Sequence, residues 1–444
     1  MNKVIVFLLL AVGLCLSGTQ AAELGGGLTP IGAEQAGNRS GDIPDWKGGI
    51  DKPVLAMNPY RGDKPEFEIT AQDYSKHSNH LTPGQQMLFQ RYPTYRMQVY
   101  PSRRSAAFPD FIYEETVKNA SRVSLNEDGN GFKGTVKGSP FPKPETGAEV
   151  MWNHMTRYNT DGYRGYVNHA VVDADGTPNI ERVYFEVAFR YNRSDVTMEN
   201  FNNEHLFYME KTVAPIHKAG NAYLVHAPLD RSAESMNLWV FNPGLGRTRR
   251  LGATGYDNPL RDGMITIDQV DMFNGSLERY TWKLVGKQEI YVPYNAYTLY
   301  GERYSYEELT HKWHLNQDAP RYELHRVWVV EANLKEGASH TYSKRVFYVD
   351  EDSWLILWAD LYDRRGELWR TSEAHPVNVF FIPFMTNAIQ VHYDLQSRRY
   401  VVLNLTSEEP SMIEYDWSQP SSYFNPTVLK EFAKKIYRIP IPGT

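Results

Sequence analysis

Cysteine is almost missing from this sequence. Its 444 residues hold one, Cys15, inside an apolar stretch at the amino terminus, so the remainder can form neither a disulfide framework nor a thiolate metal site. Stability must come from packing. The apolar stretch runs from Val4 to Leu16, about 13 residues, short of the roughly 20 that a membrane-spanning helix needs. Basic charge is not in excess either: 47 Lys and Arg stand against 53 Asp and Glu, a formal net charge of −6. That balance argues against nucleic acid or an anionic membrane as the main partner. Catalytic signatures are also absent. There is no G-x-S-x-G elbow, since GNRSG from Gly37 has the wrong spacing for a nucleophile on a strand-to-helix turn. There is no H-E-x-x-H, no P-loop and no G-x-G-x-x-G after a strand, so zincin, nucleotide and dinucleotide chemistry lack their anchors. No cofactor is expected, and a hydrolase with an unfamiliar site is the least favoured reading.

What is present begins with a leader. Lys3, the apolar core and the small residues Thr19 and Ala21 form the three-part layout of a secretory signal peptide cleaved after Ala21. Leu14 before Cys15 is too large for a lipoprotein cleavage site. The expected destination is the periplasm of a Gram-negative bacterium.

Residues 22 to 68 contain GGG, LTPIGAEQAGN and IPDWKGG with almost no apolar period, and read as an extended arm. Residues 69 to 162 carry helical signals. Thr82 is an N-cap with Pro83 at the first helical position and Gln85 completing a capping box, and Thr146 with Glu149 repeats the pattern. Between them, Asn126 to Pro144 is rich in Gly, Pro and Lys and reads as a loop.

From 163 to 444 the pattern becomes strands with a two-residue alternation. Val183, Phe185, Val187, Phe189 and Tyr191 share one face; Glu186, Arg190 and Asn192 share the other, which predicts one buried and one wet face. Tyr322 to Ala332, Lys344 to Val349, Trp354 to Tyr362, Glu367 to Arg370, Val391 to Leu395 and Tyr400 to Leu405 extend the meander, with a turn at DRRG from Asp363. Short helices are expected at SYEELTHKW and PTVLKEFAKKI. The fold class is therefore mainly β with helices, α+β, with antiparallel pairing and no βαβ units.

Several groups are candidates for chemistry. His311 and His314 are three apart on the expected helix and could place two imidazoles on one face, but no third ligand is near in sequence. Asp350, Glu351 and Asp352, and Glu408 with Glu409, read as solvated turn carboxylates. Arg247 to Arg250 reads as a charged turn or an anion contact. The stronger feature is the set of large aromatics at strand positions: Phe185, Phe189, Trp239, Phe241, Trp328, Phe347, Trp354 and Trp358. Each alone fits core packing. As a set they suit a concave sheet that binds an apolar ligand.

Three segments carry a resemblance: LTPIGAEQAGN with IPDWKGG; DMFNGSLERYTWKLVGKQEIYVPYN from Asp271; and HRVWVVEANLKEG with HTYSKRVFYVDEDSWLILWADLYDRRGELWR. They resemble a proteobacterial family of unknown function labelled outer-membrane lipoprotein-sorting-protein-like. NLWVFNPGLGRTRRL, paired with RVFYVDEDSWLILWADLYDRRGEL, resembles more distantly the carrier and receptor that move lipoproteins across the periplasm. The resemblance implies a curved antiparallel sheet, an incomplete barrel wrapped over helices, with an apolar cavity. It implies no catalytic residues. It further implies an accessory role beside an inner-membrane exporter of the resistance-nodulation-division superfamily and a second envelope protein. The expected function is a non-enzymatic periplasmic carrier of a lipid-like hydrophobic ligand; the alternative is a structural adaptor bridging an exporter to the outer membrane.

Overall fold

The computed structural model describes residues 24–52, 58–251, 255–301 and 304–437. The expected signal peptide lies outside the described residues.

The alternating segments join one open sheet of sixteen strands. From one edge it runs through Phe67–Thr70, Arg96–Val99, Tyr322–Leu334, Lys344–Asp350, Ile356–Tyr362, Leu368–Asn378, Met385–Asp394 and Arg399–Leu405. It then continues with earlier chain: Gly162–Val172, Pro178–Phe189, Glu204–Ala214, Ala222–Pro228, Asn237–Asn242 and the other edge, Arg247–Leu251. Tyr280–Pro293 pairs along Tyr322–Leu334, and Glu414–Tyr415 adds to Gly162–Val172. Pairing is antiparallel throughout except where Tyr322 meets Val99. The turn at DRRG is present, with Gly366 N donating to Asp363 O. Trp354 falls in a turn at φ +61°, so its strand starts at Ile356.

Both capping boxes form as the sequence predicts. Thr82 and Gln85 exchange side-chain and backbone bonds at the start of helix Pro83–Arg91, and Thr146 and Glu149 do so at helix Gly147–Met155. The helix expected over SYEELTHKW is only Tyr306–Leu309, capped by Ser305, and the carboxy-terminal one is Leu429–Lys434.

Register separates the two faces. Val330, Phe347, Ala359, Ser372, His392, Val401 and Val171 lie opposite one another across seven strands, and so do Val329, Tyr348, Trp358, Glu373, Val391, Val402 and Ala170. The first row faces helix Gly147–Met155 and residues 255–277 and is called inner. The second faces helix Pro83–Arg91 and the chain from Ile290 to Leu315. Farther along the sheet, Phe424, Leu429 and Phe432 cover the outer side chains Tyr184, Phe207 and Met209. The face expected to be wet is therefore buried. Glu186 is 0% exposed, accepting from Tyr184 Oη at 2.7 Å and Tyr423 Oη at 2.9 Å. Alternation marks where carbon must go, but a polar face can also be covered when the covering chain brings hydrogen-bond partners.

The amino-terminal residues 24–52 lie on the rest of the molecule, with Ile31, Ala33 and Ile43 buried. Ile50 N donates to Ser105 O, and Asn378 Nδ2 donates to Ile50 O.

Candidate functional site

Residues 255–277 are the interior piece around which the sheet turns. Arg261 donates to Glu210 at 2.7 Å and lies 3.5 Å from Glu181. Arg370 donates to the carbonyls of Gly263 and Met264 at 2.8 and 2.9 Å. Arg345 donates to Asp268 at 2.6 Å, and Arg157 and Asn387 donate to Asp271 at 2.6 and 3.1 Å. Met264 and Ile265 pack on Val171, Val401 and Leu403, while Phe273 meets Phe347 edge-on. One short segment thus touches strands from Lys344–Asp350 to Glu204–Ala214. Adjacent strands are ~4.8 Å apart, so a flat sheet would spread those side chains over several tens of ångströms. The wall must curve around the segment. This is the α+β incomplete barrel, open because its two edge strands do not meet.

The segment is conformationally costly. Arg261, Asp262, Asp271 and Met272 all have left-handed φ, between +49° and +67°, a region that Gly, Asn and Asp tolerate and other residues do not, so the cost falls on Arg261 and Met272. The ion pairs offset that cost. Burial opposes the charged form of Asp268, but Arg345 and His340 outweigh it and hold the carboxyl well below its usual range. Sequence reasoning passed over Arg261 and Asp268; Asp271 opens one of the family-like segments, the one signal that pointed here.

The eight aromatics are distributed over four clusters. Phe185 and Phe189 lie on the inner wall with Val167, Val183 and Val187, beside Tyr163, Leu206, Tyr208 and Ile413. Trp328, Phe347 and Trp354 pack with helix Gly147–Met155. Trp358 lies on the outer face, 0% exposed, and Trp239 and Phe241 pack under the carboxy-terminal helix. The structure therefore brings five of them to the inner side and puts Trp239, Phe241 and Trp358 on the outer side. Two surface concavities lie apart from all eight. One, of about 550 Å³, is lined by Arg190, Arg193, Glu204 and Ser421, and the other, of about 440 Å³, by His311, Trp313 and His314.

Four expectations are corrected. His311 and His314 follow the end of helix Tyr306–Leu309 instead of sharing its face. Both ring nitrogens of His314 are engaged, by Thr94 Oγ1 and Leu315 O at 2.8 Å each. Asp350, Glu351 and Asp352 are not solvated but 0, 2 and 3% exposed, because side chains from distant segments meet them, Tyr294 Oη donating to Asp350 at 3.0 Å and basic side chains reaching the other two. Arg104 holds both oxygens of Asp352, at 2.7 and 2.8 Å, and Arg326 and Lys287 hold Glu351 at 2.7 Å each. The same arginines reach the carbonyls of Glu34 and Ala36, so the cluster latches the amino-terminal arm. His325, Asp350 and Asp352 offer three atoms within 4.8 Å of one another and are the residues that could hold a cation. A cation there would compete with the Arg104 guanidinium. Burial, then the neighbouring Asp352, raises Asp350 to about 6. Arg247–Leu251 is an exposed edge strand and not a turn. Glu409 is paired with Arg182 at 2.6 Å, while Glu408 is exposed.

Among the described residues no helix is long and apolar enough to cross a membrane. Known proteins resemble the chain along most of its length. An outer membrane lipoprotein-sorting protein domain from Vibrio parahaemolyticus superposes with a TM-score of 0.44 at 14% identity, covering 64% of this chain and 97% of its own. A DUF1329 family protein from Desulfovibrio piger gives 0.44 and 14%, covering 63% and 96%. The uncharacterized protein PA3922 of Pseudomonas aeruginosa is 41% identical over 428 residues, 94% of each chain. The family described as Protein of unknown function (DUF1329) matches residues 68–430, and with that span and that relative the chain belongs to this family.

Proposed function

We propose that this protein is a non-enzymatic carrier in the cell envelope that holds a lipid-like hydrophobic ligand against the inner wall of its half-barrel. The observation that carries the reading is the wall at Val167, Val183, Phe185, Val187 and Phe189. Ile413 packs on that wall, and residues 255–277 reach its rim through the Arg261–Glu210 pair. An acyl chain entering along this wall would exchange with these contacts. Burying an acyl chain yields about 0.8 kcal/mol per methylene, enough for useful affinity without a catalytic group. The expected periplasmic location, and the partners implied by the resemblance, an exporter of the resistance-nodulation-division superfamily and a second envelope protein, belong to this reading.

The test is native mass spectrometry of protein purified from its own periplasm, combined with an apolar fluorescent probe. A retained lipid is expected. Phe185→Ala and Phe189→Ala should each weaken probe binding about tenfold, or ~1.4 kcal/mol. Trp358→Ala on the outer face should instead cost about 3–5 kcal/mol of stability and leave affinity unchanged. Unchanged affinity in both Phe variants would remove the proposal. The adaptor reading is favoured by one separate feature. Ile216 and Leu245, 93% and 54% exposed, sit on neighbouring hairpin tips joined by an Asn242–Asn221 bond, beside the open edge Arg247–Leu251.

A further inference from the structure

Among the described residues, the polar side-chain atoms buried on the inner wall without a hydrogen-bond partner include His169 Nε2, Gln390 Oε1 and His392 Nε2. Register gathers them on one patch. Gln390 and His392 lie two residues apart, opposite Leu403 and Val401, and Val401 lies opposite Val171, two residues along from His169. Val171, Val401 and Leu403 form one apolar cluster with Met264 and Ile265. The polar atoms therefore face the same interior as carbon. Each would be expensive to leave dry, because a buried donor or acceptor without a partner carries its full desolvation penalty.

Their chemistry is specific. Asn404 N donates to His169 Nδ1 at 3.3 Å, so in the neutral ring Nε2 carries the proton and is a donor. Gln390 Oε1 is an acceptor. Ser372 Oγ lies 2.8 Å from His392 Nδ1 and fixes that ring with Nε2 free. The patch thus offers a donor and an acceptor within an apolar wall, the complement of a hydroxyl. Charge is not on offer. Burial holds His392 down at about 3 and His169 well below its ordinary value. The nearest cations are committed: Arg261 to Glu210, Arg370 to Asp394 and Arg345 to Asp268.

We infer that His169, Gln390 and His392 form a head-group site, and that the carried ligand is a neutral amphiphile with a hydroxyl, ester or amide at its polar end, in preference to one ending in a phosphate or carboxylate. The inference rests on the carrier reading and names its ligand class. Residues 263–265 must lift from the wall for the head to enter.

Two probes with the same acyl chain test it on the unaltered full-length protein: monoolein, whose head is a neutral glycerol ester, and oleate, whose head is a carboxylate. Calorimetric titration should show monoolein binding at least tenfold more tightly. Gln390→Leu and His392→Leu should each weaken monoolein at least fivefold and leave oleate unchanged. The thermal midpoint of Gln390→Leu should stay level or rise, since it removes an unpartnered acceptor, whereas His392→Leu also strips the buried Ser372 Oγ of its partner and is read by affinity alone. Equal affinity for the two probes overturns the head-group site, and so does a fall in the Gln390→Leu thermal midpoint with monoolein binding unaltered, which would make this group part of the fold through bridging water. The probe comparison stands even if a variant fails to fold. Binding of neither probe would remove the carrier reading itself, whereas equal binding of both removes only this site.

Discussion

Asp360 shows how much a single buried side chain carries here. It is 0% exposed and accepts from Gly84 N at 3.0 Å, Trp358 Nε1 at 3.0 Å and Thr371 Oγ1 at 2.8 Å. Helix Pro83–Arg91 is seated on the sheet through this carboxyl. A Cβ on Gly84 would meet Asp360 Oδ1 at 2.1 Å, which explains a glycine in the first turn of a helix. Burial raises the Asp360 carboxyl from 3.8 to about 6, against the bonds that favour its charged form. The folded state therefore binds this proton more tightly than the unfolded state. Its contribution to stability is fully present below about pH 4 and is lost as pH rises through about 6, on the order of 3 kcal/mol for a shift of this size. In chemical unfolding at a series of pH values, Asp360→Asn should remove this fall. A variant whose stability declines from pH 4 to 7 as steeply as the unaltered protein would contradict the assignment.

Among the elements, segment 255–277 combines four left-handed residues with buried ion pairs. Its left-handed residues and its buried ion pairs hold each other in place, so the tethers should be strongly coupled to its order. Arg261→Ala leaves Glu210, 4% exposed, without its cation, and stranding one partner of a buried pair costs about 3–5 kcal/mol. Hydrogen exchange should then accelerate in residues 255–277 while strands Tyr322–Leu334 and Lys344–Asp350 keep their protection. Uniform acceleration over the whole sheet would mean that the segment is one cooperative unit with the core and not an exchangeable cover.

For the whole molecule, the amino-terminal arm is the informative part. Arg104 donates to the carbonyls of Glu34, Gln35 and Pro44, and Arg326 donates to Ala36. Hydrogen bonds to charged groups are worth about 1.5–3 kcal/mol each when well formed. Deleting residues 22 to 50 should leave a domain that still unfolds cooperatively, because every strand of the sheet is later chain and the arm adds only a few side chains, Ile31 and Ile43, to its packed faces, but with stability lower by at least roughly 3–6 kcal/mol from the lost hydrogen bonds. Loss of a cooperative calorimetric transition would show the arm to be integral to the core.

Much of this was legible before any coordinates. The capping boxes at Thr82 and Thr146, the alternation in Val183 to Phe189 and the turn at Asp363 are local signals, set by periods of 3.6 and 2 and by single hydrogen bonds, and each is where the sequence predicts it. The α+β class and the antiparallel meander follow from them. Other features have no local signal. Whether Glu186 or Asp352 is wet depends on which distant chain covers it, Tyr423 in one case and Arg104 in the other. Trp358 and Phe347 obey the same alternation, yet face opposite sides of the sheet because register, not residue type, assigns the side. The inner wall with His169, Gln390 and His392 joins positions more than 200 residues apart, and their lack of partners is a property of the assembled surface. The sequence by itself determined the elements and their apolar stripes; the tertiary structure alone decided which stripe faces the interior and which polar groups it leaves without a partner, because burial and pairing are long-range properties that no local pattern encodes.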